Sequence, residues 1–265
     1  MTFVNLPLRH VTERPEHVEL FLARGLNPEL GLDAQVLDCC SPAWHREQAR
    51  VFHEAGLTCA VHLPFFDIHP GSLDRLARHV CVERLLQAVD VAQTYAPAHY
   101  VAHLDYRHGT YGRHQDAWRS RVVETWNRIL DHTGDVPLFL ENVYEDTPRH
   151  HVEVLRALGG RARMCLDVGH WHSFARGYER GDLGLWLDTL GGLISHLHLH
   201  DNDGSADQHL GLGQGNIPWE LLWAWLKSSD TPITATFEPH TETDFRTIQS
   251  YLRNHPELNL DFPDK

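Results

Sequence analysis

Residues able to hold a metal ion or move a proton recur at one kind of position in this sequence, the end of a short apolar run. His62 ends one in VHLPFFDIHPGS, His103 in YVAHLDY and Glu141 in LFLENVYE. Asp167 ends the next in CLDVGHWH, with His170 three residues on. His198 follows in HLHLHDND, with Asp207 and His209 beyond it in ADQHLGLGQG, and Glu238 comes last in TFEPH. A charged or ligand-type side chain at the end of an apolar strand is costly unless it is paired or coordinated. Any one of these histidines alone would be read as a hydrogen-bonded core residue. Six consecutive runs ending this way point to a metal centre. Imidazoles mixed with carboxylates suit zinc, manganese, cobalt or iron, and are too nitrogen-rich for a calcium cage. Histidine is also abundant, 22 of 265 residues, and is the commonest metal ligand. Of these, His45, His53, His114, His150 and His151 lie among polar residues and read as surface.

The runs themselves predict eight buried strands of four to six residues: 3–8, 29–32, 58–62, 99–103, 137–141, 163–167, 194–198 and 233–238. Amphipathic stretches separate them. Ser41-Pro42 reads as an N-cap followed by proline at the first helical position. From Ser72 to Tyr95, Leu73, Leu76, Val80, Leu85, Val89 and Val91 recur at helical spacing. Trp219, Leu222, Trp223 and Leu226 make a stripe that reads better as a packed helix face than as a subunit interface. Eight strand–helix units predict an α/β fold, a single (β/α)₈ TIM barrel spanning residues 1–265. The reactive residues then collect at the C-terminal ends of the strands. A doubly wound open sheet is the alternative, weakened by the lack of a GxGxxG after the first strand. The tail from Asn259 to Lys265 is expected to be loosely ordered.

Composition narrows the function classes. Lys and Arg number 23 against 36 Asp and Glu, a formal charge of −13, which disfavours a nucleic-acid coat or a binder of anionic membranes. No apolar run is long enough to span a bilayer, and the N-terminus lacks a signal-peptide pattern. Five cysteines without regular spacing or a CxxC read as reduced thiols, which fits a cytoplasmic protein.

The HLP at His62, the ENVYE segment, LDVGH, HLHDNDGSADQH and GLGQGNI, in this order, resemble the xylose isomerase-like TIM-barrel superfamily. That superfamily holds sugar and sugar-phosphate isomerases and epimerases together with endonuclease IV, the second apurinic endonuclease family. The resemblance runs from about Thr58 to His240. For the isomerases and epimerases it implies one divalent ion on Glu141, Asp167, His198 and Glu238. For endonuclease IV it implies three zinc ions on His62, His103, Glu141, Asp167, His170, His198, Asp207, His209 and Glu238. The implied cofactor is thus zinc, manganese or cobalt, one to three ions per chain.

Two mechanisms follow. In the first, a metal-dependent isomerase or epimerase forms an enediolate of a sugar or sugar phosphate. Glu141 and Glu238 serve as acid and base, and His170 holds a substrate oxygen. In the second, several ions hydrolyse a phosphoester, a small phosphodiester or, less favoured, abasic DNA. The sequence ranks the isomerase first. The loop DCCSPAWHR after the second strand lacks a basic-aromatic wedge for DNA, and the charge is acidic, so nucleic acid is not expected as a partner. A barrel that binds metal or a polyol without turnover is the third reading. A homo-oligomer is compatible with all three.

Several neighbours have bland readings beside functional ones. The glycines of GLGQG bring the backbone close to the site and position His209, and lack the ending of a P-loop. Trp171, His172, Phe65 and Phe66 either wall a pocket or pack on the rim. Arg107, His108 and Arg113 read as a solvated loop. His240 and Asp105 could orient ligands. Glu29 is unusual inside a strand and calls for an Arg or a substrate as its partner.

Overall fold

The computed structural model describes residues 1–229 and 232–260. Each apolar run becomes a strand: β1 Thr2–Pro7, β2 Pro28–Gly31, β3 Ala60–His62, β4 Tyr100–His103, β5 Leu138–Glu141, β6 Ala162–Asp167, β7 Ile194–Leu199 and β8 Thr234–Phe237. The strands hydrogen-bond in sequence order and close into a barrel, with helices between them. The (β/α)₈ expectation therefore holds, and the open sheet is excluded.

One strand boundary matters for function. β7 runs one residue beyond the predicted end, through Leu199. Side chains alternate along a strand. His196, His198 and His200 therefore share one face, and Leu197 and Leu199 point the other way; all five are fully buried or nearly so. β6 and β7 are parallel, and their register sets Asp167 beside His198.

The chain forms two compact units. The first, among the described residues, comprises Phe3–Ala102 and Asp116–Phe139. Its helix Pro42–Glu54 starts as expected: Ser41 accepts the Trp44 N–H and Pro42 occupies the first turn. The next long helix, Arg75–Ala92, is capped by Asp74, whose carboxylate accepts from Leu76 and Ala77. Its buried face corrects the predicted one. Cys81, Val82, Leu85, Ala88, Val89 and Ala92 are buried, whereas Leu76 and Val80 are 62% and 66% exposed. Small residues at the inner face let the helix sit close, and the periodicity of the large ones alone was misleading. Glu29 in β2 is buried and meets His99 at 3.6 Å. His45 is buried too, bonded through Nδ1 to the Tyr95 hydroxyl at 2.8 Å.

The second unit comprises Met1–Thr2, His103–Gln115 and the described chain from Leu140 onward. Trp171, Trp186, Leu187, Leu197, Leu199 and Phe237 lie in its core. Trp219 and Trp223 stack at 5.3 Å and are buried, so their stripe is a packed helix face. His150 and His151 are also buried, against the surface expectation. His150 stacks on Tyr106 at 3.7 Å. His53 and His114 are exposed, as expected. No described helix is long and apolar enough to cross a membrane.

Candidate metal centre

Eight of the nine candidate ligands fall within the second unit. Four form an inner group. Glu141 ends β5 and Asp167 ends β6, His198 lies one residue from the end of β7, and Glu238 follows β8. His198 Nδ1 faces three carboxylates, 3.5 Å from Glu141, 3.8 Å from Asp167 and 3.4 Å from Glu238. His103, at the end of β4, approaches Glu141 at 3.5 Å through Nε2. His62 ends β3 in the first unit, where its Nδ1 donates to the Leu63 carbonyl at 2.8 Å.

An outer group contains His170, Asp207 and His209, joined by His200, with one potential ligand atom of each within 4.8 Å of all the others. Asp207 Oδ2 lies 3.5 Å from His170 Nε2 and 3.0 Å from His209 Nε2. Its other oxygen, Oδ1, is buried without a hydrogen-bond partner among the described residues. The rings are held from behind. His170 Nδ1 reaches both the Asn142 carbonyl and Glu141 Oε1 at 3.0 Å, and His209 Nδ1 donates to the Glu238 carbonyl at 2.9 Å. A metal-bound imidazole is typically fixed in this way, with the far N–H on a carbonyl or carboxylate and the other nitrogen turned to the ion. The donor set, its anchored rings and a carboxylate oxygen without a hydrogen-bond partner among the described residues fit a divalent metal.

The electrostatics agree. Burial would raise the Glu141 carboxyl, but His198 and His103 hold it well below its ordinary range. Asp167 is lowered against burial by His170 and His200. Asp207 is lowered in the same manner by His170 and His209. Burial opposes charge on His209, yet Asp207 and Glu238 together carry it up to about 9. His170 is raised well above its ordinary value by Asp167, Asp207 and Glu141, again against burial. Buried carboxylates and imidazoles concentrated to this degree hold one another in charged forms, and a cation relieves the excess of anions.

Other residues hold this arrangement, and the sequence reading passed over most of them. Asn142, directly after Glu141, donates to the Asp167 carbonyl and accepts the Asp167 N–H, both at 2.9 Å. Asp167 caps the short helix Val168–His172, accepting the His170 N–H at 2.6 Å. Glu145 accepts the N–H groups of Tyr106 and Val143, tying the loops after β4 and β5 together. Asp201 organises the loop that carries Asp207 and His209. It accepts from Asn202, Gly213, Ile217 and the Trp219 indole, and its backbone pairs with Leu210. Gly215 is needed there, because a Cβ would meet the Asn202 carbonyl at 2.2 Å. His209 itself has φ +52°, a left-handed conformation that costs a non-glycine residue about 1–3 kcal/mol and that recurs at functional sites. His240 stacks on His209 at 3.9 Å and supports the ring without bonding a ligand. Asp105 bonds Arg107, whose guanidinium lies over the Tyr144 ring. Trp171 is buried and bonds Asp182, so it is not a pocket wall. His172 is buried as well, bonded to Asn202. Of these, His200 had a readable signal, since HLHLH alternates and places it on the face of His198.

Comparison with known proteins gives the family. A probable endonuclease 4 of Mycobacterium ulcerans is 28% identical over 228 residues, covering 79% of this chain and 84% of that protein. The TTHB071 protein of Thermus thermophilus, whose crystal was soaked with ZnCl2, is 27% identical with a TM-score of 0.79, covering 96% of both chains. A D-tagatose 3-epimerase-like protein shares the fold, with a TM-score of 0.80 at 20% identity and 97% of both chains covered. The model of the xylose isomerase-like TIM barrel family matches residues 18–255, nine-tenths of the sequence, and the chain belongs to that family.

Proposed function

We propose that this protein is a divalent-metal phosphoester hydrolase that uses at least two ions on a small phosphodiester or phosphomonoester. The observation that carries this reading is the outer group. A single-ion isomerase needs only Glu141, Asp167, His198 and Glu238. Here His170 and His209 both turn Nε2 to the Asp207 carboxylate, with Nδ1 of His209 on the Glu238 carbonyl and Nδ1 of His170 on the Asn142 carbonyl and Glu141 Oε1. Rings held this way have the second-shell support of ligands. The sequence alone ranks the isomerase first; the outer group is the observation that supports the hydrolase.

Ions at these positions would supply Lewis acidity toward a phosphoryl oxygen and an acidified water. Glu141, Asp167, His198 and Glu238 would hold the inner ion. His170, Asp207 and His209 would hold the outer one. His103, 3.5 Å from Glu141, is a further ligand candidate. The Glu141 carboxylate, kept ionised by its histidine neighbours, has an oxygen toward His103 and another toward His170, and is suited to lie between ions. A small substrate fits the acidic charge, and the lack of a basic-aromatic wedge in the loop DCCSPAWHR after β2, better than duplex DNA does.

The second reading is the sugar or sugar-phosphate isomerase or epimerase. It is supported by Glu141 and Glu238 meeting the same His198 nitrogen, which puts the two carboxylates that would serve as acid and base at one place. Elemental analysis of protein purified without a metal-affinity tag separates the two. Two or three ions per chain, with cleavage of bis(p-nitrophenyl) phosphate, support the hydrolase. One ion per chain, with turnover of ketoses or their phosphates, would sink it. His62→Ala gives a second discriminator, mild for one ion and severe for three.

A further inference from the structure

His200 lies among the outer ligands and is grouped with them by distance alone. Its ring is fully buried and stacked on His209 at 3.8 Å. Gly169 makes room for it, since a Cβ there would sit 2.0 Å from His200 Cε1. Nε2 lies 3.3 Å from both Asp167 oxygens, 3.7 Å from Asp207 and 3.8 Å from Glu238.

We infer that His200 is not a ligand but the hydrogen-bond donor that positions the Asp167 carboxylate. The inference rests on the two-ion reading above and assigns one residue within it. A ligand imidazole keeps its proton on the nitrogen remote from the ion, and that N–H needs an acceptor. His170 and His209 have one each, the carbonyls of Asn142 and Glu238. His200 Nδ1 is buried with no hydrogen-bond partner among the described residues. A proton on Nδ1 would be a buried unsatisfied donor, whereas a proton on Nε2 faces three carboxylates. The Nε2–H tautomer is the one the surroundings select, and it has no lone pair left on the side of the ligands.

Two consequences follow. Asp167 is held from two directions, by His200 Nε2–H and by the His170 N–H, so its free lone pairs have a fixed direction. The outer group is then left with three protein donors, His170, Asp207 and His209. Three donors leave a coordination position open, as catalytic zinc sites do, and that position suits an oxygen of a phosphoester substrate. A fourth histidine would close the site and make it structural.

Long-range ¹H–¹⁵N correlation of the zinc-loaded protein reads the tautomer directly, and zinc titration of His200→Gln and His200→Leu reads the role. The expected result is an Nε2–H signal for His200 without a metal-induced ¹⁵N shift. His200→Gln, which keeps an N–H for Asp167 but is a poor zinc ligand, keeps wild-type affinity. His200→Leu loses about 10- to 100-fold. An Nδ1–H tautomer with a metal-shifted Nε2, or loss of the outer ion in His200→Gln, would make His200 a ligand and overturn the inference. Undiminished affinity in His200→Leu would remove the positioning role. A wild-type protein that takes up only one ion refutes the two-ion reading, and the tautomer still decides this one.

Discussion

Asn142 holds Asp167 by both ends of its amide, giving an N–H to the Asp167 carbonyl and taking the Asp167 N–H on its own oxygen. A side chain thereby does for the ends of β5 and β6 what a strand backbone does elsewhere. It fixes Asp167 as the chain turns from strand to helix, while its backbone carbonyl anchors the His170 ring. Asn142→Leu leaves the buried Asp167 N–H and carbonyl unpaired. The expected cost is about 1–3 kcal/mol, read by urea unfolding. Metal affinity should fall more than in a core variant of equal instability, such as Leu140→Val. Equal affinities in the two would show that Asn142 acts on the fold alone.

Gly169→Ala tests the packing beneath His200. The new Cβ meets a buried ring at 2.0 Å, so the ring or the backbone has to move. Overpacking of this kind costs about 1–3 kcal/mol. The relief is specific: His200→Ala in the Gly169→Ala background should recover stability that either change alone loses. Additive losses in that double-mutant cycle would mean the two residues do not meet in solution.

The sequence revealed the strands because buried parallel strands are short apolar runs, and it revealed most ligands because each is a polar residue ending such a run. It was less informative wherever burial depends on small residues or on partners distant in the chain. The helix Arg75–Ala92 turns Cys81, Ala88 and Ala92 inward, while Leu76 and Val80 stay in water. His150 reads as surface among its polar neighbours until Tyr106, from the loop after β4, stacks on it. Asn142 and Asp201 act through backbone groups, which no residue spacing reveals. His200 was legible in principle, but ending the strand at His198 hid the alternation that includes it.

His150 makes stability sensitive to pH. Burial pushes its imidazole from 6.5 down to about 4, although Asp146 and Glu153 oppose the shift. The neutral ring is the form whose Nδ1 accepts from Gln115 at 3.3 Å. The folded state therefore binds the proton less well than the unfolded chain does. This contribution is intact above about pH 6.5 and is lost as pH falls toward 4. At pH 5 the loss is about 2 kcal/mol for this residue. His150→Phe keeps the stack on Tyr106 and cannot titrate. Its unfolding free energy should fall by about 2 kcal/mol less than that of the wild type between pH 7 and pH 5. An unchanged pH dependence would place the acid sensitivity elsewhere.

Asp201 and Asp207 stand six residues apart and answer opposite needs, so the same substitution should separate them. The Asp207 carboxylate lies between two imidazoles and has an oxygen without a hydrogen-bond partner among the described residues. The Asp201 carboxylate is saturated, taking four N–H donors from its own loop and from Trp219. Asp207→Asn removes an anion from the outer group and keeps an amide oxygen that can accept from His209, the loop bond its carboxylate makes. Elemental analysis should show one fewer ion per chain, and unfolding of the chelated protein should change little. Asp201→Asn turns an amide N–H toward backbone donors in a buried place. The chelated protein should lose about 1–3 kcal/mol, because charged acceptors are the strong ones and a buried donor without a partner bears its full desolvation cost. Zinc should then partly restore the Asp201→Asn protein, since binding to the folded state alone stabilises it in proportion to the logarithm of free ion. If instead Asp207→Asn keeps every ion, Asp207 is an ion-pair partner of His170 and His209, and the outer site is not a metal site.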